Sequence, residues 1–231
     1  MKNPSRRFVL YAGAAVAAAA GVAAWSGLLT FGSNSTKAPQ FGDALAAATD
    51  LSTLPDAPKI GDRFLGKADA KVTVIEYASA TCPHCAQFHK DTFPILKSEY
   101  IDTGKIRFVF REFPFDDLAL AAFMLARCAP EDKYFPVIDM LFEKQETWTR
   151  SNPKEELFKI AQLAGFSRDS FEACLKNEEI ARGIIEIRNK ANESYGVDST
   201  PTFFIDGKEV DGSQPVDEFR KAIDAAVTAA G

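Results

Sequence analysis

The chain has no surplus of positive charge: 27 lysines and arginines face 32 aspartates and glutamates, for a formal charge of −5. That balance repels a phosphate backbone and excludes nucleic acid as the partner. Internal repeats are absent, and beyond the N-terminus no segment is strongly low in complexity. Cysteine is scarce, at four residues: Cys82, Cys85, Cys128 and Cys174. The scaffold does not need them as staples. A length of 231 residues suffices for one domain, with or without an insertion, whose apolar core stands without metal or crosslink.

The segment before Gly32 lacks acidic residues altogether. It reads Met-Lys-Asn-Pro-Ser-Arg-Arg and then runs from Phe8 to Phe31 apolar, alanine-rich and uncharged. Basic residues followed by such a run are an export signal. Small residues near Ala23 and Ala24 suit a peptidase, while a run of this length also reaches across a bilayer. Residues 1–31 are therefore expected to be either a signal peptide or a retained membrane anchor. Ser5-Arg6-Arg7-Phe8 is compatible with twin-arginine export. Removal of the segment would leave 24 basic against 32 acidic residues, a charge of −8. Residues 32–59, rich in Ser, Thr, Ala, Pro and Asp, read as a linker. The expected location is the periplasm, where disulfides are permitted.

Folded sequence begins near Ile60. Val72, Val74, Glu76 and Ala78 alternate with Thr73, Ile75 and Tyr77, which predicts a buried strand with Glu76 on the face of two valines. A helix is expected from about Pro83 to Asp102, opened by its proline, kinked at Pro94 and closed by Gly104. Ile106, Phe108 and Phe110 alternate into a second strand that ends by Pro114, giving a right-handed βαβ unit. Between Asp116 and Tyr195 the pattern is helical, with breaks at Pro130, Asn152-Pro153, Gly165 and Asn177. Strand character returns at Thr202 to Ile205, and Asp206-Gly207 before Lys208-Glu209-Val210 is a two-residue hairpin signal. A last helix is expected from Pro215 to about Ala230.

Cys82-Pro83-His84-Cys85 falls where the first strand meets a helix N-terminus. Free backbone N–H groups and the positive end of the helix dipole favour a thiolate at Cys82, the nucleophilic form. Cys85, one turn inside, is placed to resolve or form a disulfide, and His84 can stabilise the Cys82 thiolate by charge and hydrogen bonding. The competing reading is half a zinc site with His89 as third ligand. Structural zinc takes four ligands and the other cysteines lie in distant helices, so the strand-to-helix placement favours redox chemistry. His89 then reads as a partly exposed helix residue. A non-enzymatic module delivering copper or zinc is the alternative from a different class.

Glu76-Tyr77-Ala78-Ser79-Ala80-Thr81-Cys82-Pro83-His84-Cys85, the helical insertion and Thr200-Pro201-Thr202-Phe203-Phe204 together resemble the DsbA family of the thioredoxin superfamily, from about Ile60 to the end. The resemblance implies an α/β, thioredoxin-like fold with an inserted all-helical subdomain. Residues 60–115 would carry the active site, 116–195 the insertion, and 196–231 the second part with a cis-proline loop. Cys82 would exchange with substrate and Cys85 would be its buried partner. Pro201 would be the cis-proline facing them, with Thr200 presenting its backbone to an extended substrate. Glu76 would be a buried carboxylate passing protons to or from Cys85. Thr200 stands where some strongly oxidising members have valine, and threonine is common in reducing relatives. Cys128 and Cys174 resemble the extra pair of some alphaproteobacterial members and are read as a structural disulfide. No cofactor and no metal is implied. The implied activity is introduction of disulfides into unfolded exported polypeptides with free cysteines. A monomer would do this, reoxidised by a membrane quinone-linked thiol oxidase. A periplasmic reductase or isomerase is the alternative within the same chemistry, although residues 33–59 are too short for the dimerisation domain that isomerases of the superfamily usually carry.

Overall fold

The computed structural model describes residues 58–231. The export segment and all but the end of the linker expected from the sequence lie outside the described residues. Among the described residues five strands form one mixed sheet in the order β1-β3-β2-β4-β5. At its centre β2 (Val72–Ala78) and β3 (Ile106–Glu112) run parallel, from Val72 opposite Ile106 to Ala78 opposite Glu112. β1 (Arg63–Gly66) lies antiparallel on the outer side of β3, and β4 (Thr202–Ile205) lies antiparallel on the other side of β2. β5 (Lys208–Asp211) completes a hairpin with β4. Asp206 and Gly207 both take positive φ, 47° and 82°, as a two-residue turn matched to strand twist requires. β1 was not expected, since four residues are too few to display a period.

α1 (Pro83–Asp91) opens on Pro83 with Cys82 at its N-cap. The single kinked helix predicted to Asp102 is instead three pieces. Thr92 ends α1 by donating its N–H to the Phe88 carbonyl, and its own carbonyl accepts from Ile95 and Leu96 to open α2 (Phe93–Leu96). Pro94 thereby sits in a first helical turn, where its missing N–H is no loss. A π-turn, Lys97–Ile101, follows, and left-handed Gly104 (φ 76°) closes the segment by donating to the Ile101 carbonyl.

Every element from Asp117 to Tyr195 is helical: α3 (Asp117–Cys128), a 3-10 turn (Glu131–Lys133), α4 (Tyr134–Glu143), α5 (Gln145–Arg150), α6 (Pro153–Leu163), α7 (Arg168–Leu175) and α8 (Glu178–Tyr195). Asn177 caps α8 by accepting from the Glu179 and Ile180 N–H groups. The break between α4 and α5 at Lys144 has neither glycine nor proline to announce it. After β5 the chain ends in α9 (Val216–Ala230).

The alternation of β2 divides the core. Val72, Val74 and Ala78 join Phe108, Phe110, Phe203 and Ile205, closed by Phe88 of α1 and by Phe219 and Ile223 of α9. Ile75 and Tyr77 point the other way, with Val109 and Phe204, onto Ile187 and Ala191 of α8. Glu76 is thus delivered into the larger apolar core, on the face that carries α1.

Cys128, at the end of α3, and Cys174, in α7, are joined by a disulfide across a separation of 46 residues. Closing a loop of that size restricts the unfolded chain by about 3 to 4 kcal/mol in the chain-entropy treatment. Replacing both by alanine is expected to lower unfolding stability by that amount in urea, measured with Cys82 and Cys85 kept reduced. A loss below about 1 kcal/mol would mean the bond does not restrain the unfolded chain in this way.

Candidate active site

β2 ends at Ala78, and the loop Ser79–Thr81 delivers Cys82 to the α1 N-cap with φ −79° and ψ 119°. Cys82 is 8% exposed, whereas Cys85, in the first turn, is fully buried. The two thiols are free, so this is the dithiol form. The Cys82 thiol donates to the Thr200 carbonyl at 3.2 Å. The Thr200–Pro201 bond is cis and Pro201 is buried. Gly212, just past β5, backs this loop so closely that a Cβ there would collide with the Pro201 carbonyl. Cys82, Cys85, Thr200 and Pro201, far apart in sequence, therefore meet at one end of the sheet. Cys128 and Cys174 pair with each other instead.

The two sulfurs are electrostatically opposite. The Cys82 thiol falls from an ordinary 9.0 to about 5, chiefly because the Cys85 thiol donates to its anion. Burial opposes this, while Thr200 and the backbone N–H groups of Cys85 and His84 add to it. Cys85 is pushed well above 9.0, first by burial and then by its hydrogen bond to Cys82 and the negative charge of Glu76. His84 gives the Cys82 anion its main-chain N–H, and its side chain is exposed. The Thr200 hydroxyl, buried with no other hydrogen-bond partner, is the group of that residue that serves the anion, whereas its carbonyl accepts from the neutral thiol.

Beneath Cys85, Glu76 is fully buried, and its Oε2 lies 2.9 Å from His89 Nε2. The partly exposed His89 expected from the sequence is thus corrected. The residue is 8% exposed, stacked on Phe142 at 4.3 Å and tilted against Phe93 at 4.8 Å. It faces the carboxylate of β2, not the cysteines, as a third zinc ligand would. Among the described residues no group of three or more His, Cys, Asp or Glu is arranged to hold a metal ion.

The thioredoxin family model matches residues 59–225. The chain belongs to the thioredoxin family. Within it the resemblance is to the DsbA branch. The crystal structure of Wolbachia pipientis alpha-DsbA1 superposes with a TM-score of 0.72 and 33% identity, covering 79% of this chain and 98% of that one. A protein-disulfide oxidoreductase of Rickettsia bellii is 37% identical over 168 residues, which are 72% of this chain and 64% of that protein. The chain thus spans somewhat less than two thirds of the Rickettsia relative's length. Disulfide bond formation protein D of Bacillus subtilis is 28% identical, covering 71% of this chain and 76% of its own. These matches make the chain a DsbA-family member of the alphaproteobacterial kind, with the thioredoxin-like fold and its helical insertion.

Two residues of this DsbA-family site were not found from the sequence. Gln145, at the start of α5, is buried, and its amide donates to the carbonyls of Ala80 at 2.8 Å and Cys82 at 2.9 Å. The insertion therefore clamps the loop that carries the nucleophile. Asp116 caps α3 with one oxygen, accepting from the Ala119 N–H, and accepts from the Thr81 hydroxyl with the other at 2.8 Å. An aspartate just ahead of an apolar helical run was a signal for the cap; nothing in the sequence tied it to Thr81.

Two measurements check this geometry. The thiolate absorbance of the reduced protein should titrate with a midpoint near 5. Because the folded value lies below the unfolded 9.0, the stability that Cys82 contributes is fully present above pH 9 and is lost as pH falls through about 5. The oxidised protein has no such group. The difference in melting temperature should therefore move in favour of the reduced form as pH rises between those values, and a flat difference would refute the assignment. Gln145→Leu, which strips a donor from two buried carbonyls, should cost about 1 to 3 kcal/mol in urea unfolding.

Proposed function

We propose that the chain is a protein thiol-disulfide oxidoreductase that introduces disulfides into exported polypeptides with free cysteines. One observation carries the reading: a nearly buried Cys82 whose thiol falls to about 5, set above a fully buried Cys85 whose thiol is pushed up. Only Cys82 can be reached and only Cys82 is a good leaving group at neutral pH. A substrate thiolate attacks the Cys82 sulfur of the oxidised protein, and Cys85 leaves and takes up a proton. A second substrate thiolate then attacks the substrate sulfur of the mixed disulfide, and Cys82 departs as a stabilised anion. Glu76, buried and acting on Cys85 by its charge, is the proton carrier for that sulfur. Thr200, beside the cis peptide, offers its backbone to the extended substrate.

The direction follows from the same imbalance. Lowering the Cys82 thiol from 9.0 to about 5 favours the reduced form at pH 7 by an amount of order 3 kcal/mol, roughly 60 mV on a two-electron couple. The pair should therefore accept electrons from substrates. The basic and apolar N-terminal sequence supports export to the periplasm. Among the described residues no helix is long and apolar enough to cross a membrane. The DsbA resemblance supports a monomer reoxidised by a membrane quinone-linked thiol oxidase.

Cys85→Ala, reduced and mixed with a polypeptide that still carries disulfides, should accumulate mixed disulfides through Cys82, because the Cys82 thiolate opens the bond and no Cys85 remains to release the adduct, and Cys82→Ser should form none. Absence of trapped adducts would reverse the two roles. Equilibration against glutathione should place the couple less negative than thioredoxin's value of about −270 mV. A potential at or below that value, with good insulin reduction and no oxidation of the unfolded polypeptide, would move the function to reductase or isomerase.

A further inference from the structure

A carboxylate that gains and loses a proton in a fully buried position changes the charge of the core, which is costly unless something compensates. Glu76 has one polar partner, the His89 ring, through Oε2 and Nε2 at 2.9 Å. The two atoms at the far ends of that contact, Glu76 Oε1 and His89 Nδ1, are both buried and without a hydrogen-bond partner. His89 is held by its stack on Phe142 and also lines a groove of about 700 Å³ beside α1. The unpartnered oxygen thus belongs to a group whose charge reaches Cys85, and the unpartnered nitrogen to a ring in the groove wall.

We propose that His89 completes the proton path of Cys85, the Glu76–His89 pair carrying one proton between the buried sulfur and groove water, with Oε1 as its inner and Nδ1 as its outer terminal. This rests on the reading of Glu76 as proton carrier. When the Cys82–Cys85 disulfide is opened by a substrate thiolate, the Cys85 thiolate takes the proton of Glu76 Oε1–H through a bridging water, since Oε1 is not in hydrogen-bond reach of the sulfur itself. Glu76 becomes a carboxylate, and His89 Nδ1, covered at rest, takes a proton from a groove water admitted beside the ring to give an imidazolium. When an acceptor disulfide removes the two electrons and the bond re-forms, the Cys85 proton returns to Oε1 and the Nδ1 proton leaves to water. The Nε2–H donates to Oε2 throughout. The carboxylate and the imidazolium appear and vanish together, so the pair stays neutral. His89 acts through Glu76 and is a positioning residue. The charged groups around it are Glu76 from β2, Asp139 and Glu143 from α4, Glu146 from α5, Lys97 from the π-turn and Lys90 from its own helix. Burial pushes the Asp139 carboxyl up, and the charges of His89 and Lys97 oppose this.

The chain has two histidines, so imidazole ¹⁵N resonances of the full, unaltered protein can be read directly, with His89→Gln supplying the assignment. At pH 7 His89 Nδ1 should carry a proton in the reduced protein and none in the oxidised one. The same protonation in both states overturns the proposal. In stopped-flow reduction of the oxidised protein by dithiothreitol from pH 5 to 9, His89→Gln should slow the step at least about tenfold and flatten its pH profile. The Cys82 thiolate midpoint should stay where it is, and added imidazole should restore the rate of His89→Ala. Glu76→Gln combined with His89→Gln should be no slower than Glu76→Gln alone. If Glu76→Gln is slow and His89→Gln is not, the relay ends at Glu76 and this inference alone fails. If neither is slow, the reading of Glu76 fails and takes this one with it. Additive slowing in the double variant, or a shifted Cys82 midpoint that accounts for the loss in His89→Gln, also overturns it.

Discussion

A sulfur anion held at the first turn of α1 is the constraint on which the rest of the molecule depends. Its stabilisation comes from short-range donors, the Cys85 thiol and the N–H groups of His84 and Cys85, with the Thr200 loop closing over the other side. Each works only if a particular backbone stays in place to within a fraction of an ångström. Much of the surrounding architecture holds that placement. The parallel pairing of β2 with β3 aims the loop, Gln145 grips two of its carbonyls, Asp116 ties Thr81 to the start of α3, and Gly212 lets the proline loop seat against β5. The insertion, by way of Gln145 and Asp116, is therefore part of the active-site support as well as a cover for the core.

The same placement separates two jobs that a free dithiol would share. A thiol pair in water has two equivalent sulfurs, and either can attack or leave. Here burial is unequal by position along one helical turn, so the protein environment assigns the proton to one sulfur and the negative charge to the other. In the role proposed for it, Glu76 would give the buried thiol a route for its proton from a position that the period of β2 already points at α1.

Much of this was legible in the residues. The valine alternation in β2 placed Glu76 on the correct face, Pro83 marked the helix start, Asp206-Gly207 marked the hairpin, and the helix breaks at Pro130, Gly165 and Asn177 were written in residues with strong local preferences. These signals are local, so a sequence carries them openly. What escaped depends on partners distant in the chain. His89 looks like any polar helix residue until Phe142, arriving from α4, covers it. Gln145 has no local signature, and its role exists only because α5 packs over the Cys82 loop. His84 shows the same limit: its main-chain N–H supports the sulfur anion from the first turn of α1, a contribution of backbone placement that its residue type does not announce.

The disulfide between α3 and α7 gives the molecule a dependence on its own kind of chemistry. A freshly made chain carries four thiols, and two electrons must leave Cys128 and Cys174 before those helices are tied. The nascent protein is therefore a dithiol client of the reaction class read from its active site. With the oxidase direction proposed above, mature copies would speed the maturation of new ones, and the first would obtain their bond from another oxidant. The onset of folding capacity in a cell starting from reduced chains would then follow a lag and a rise, as in a self-seeding reaction.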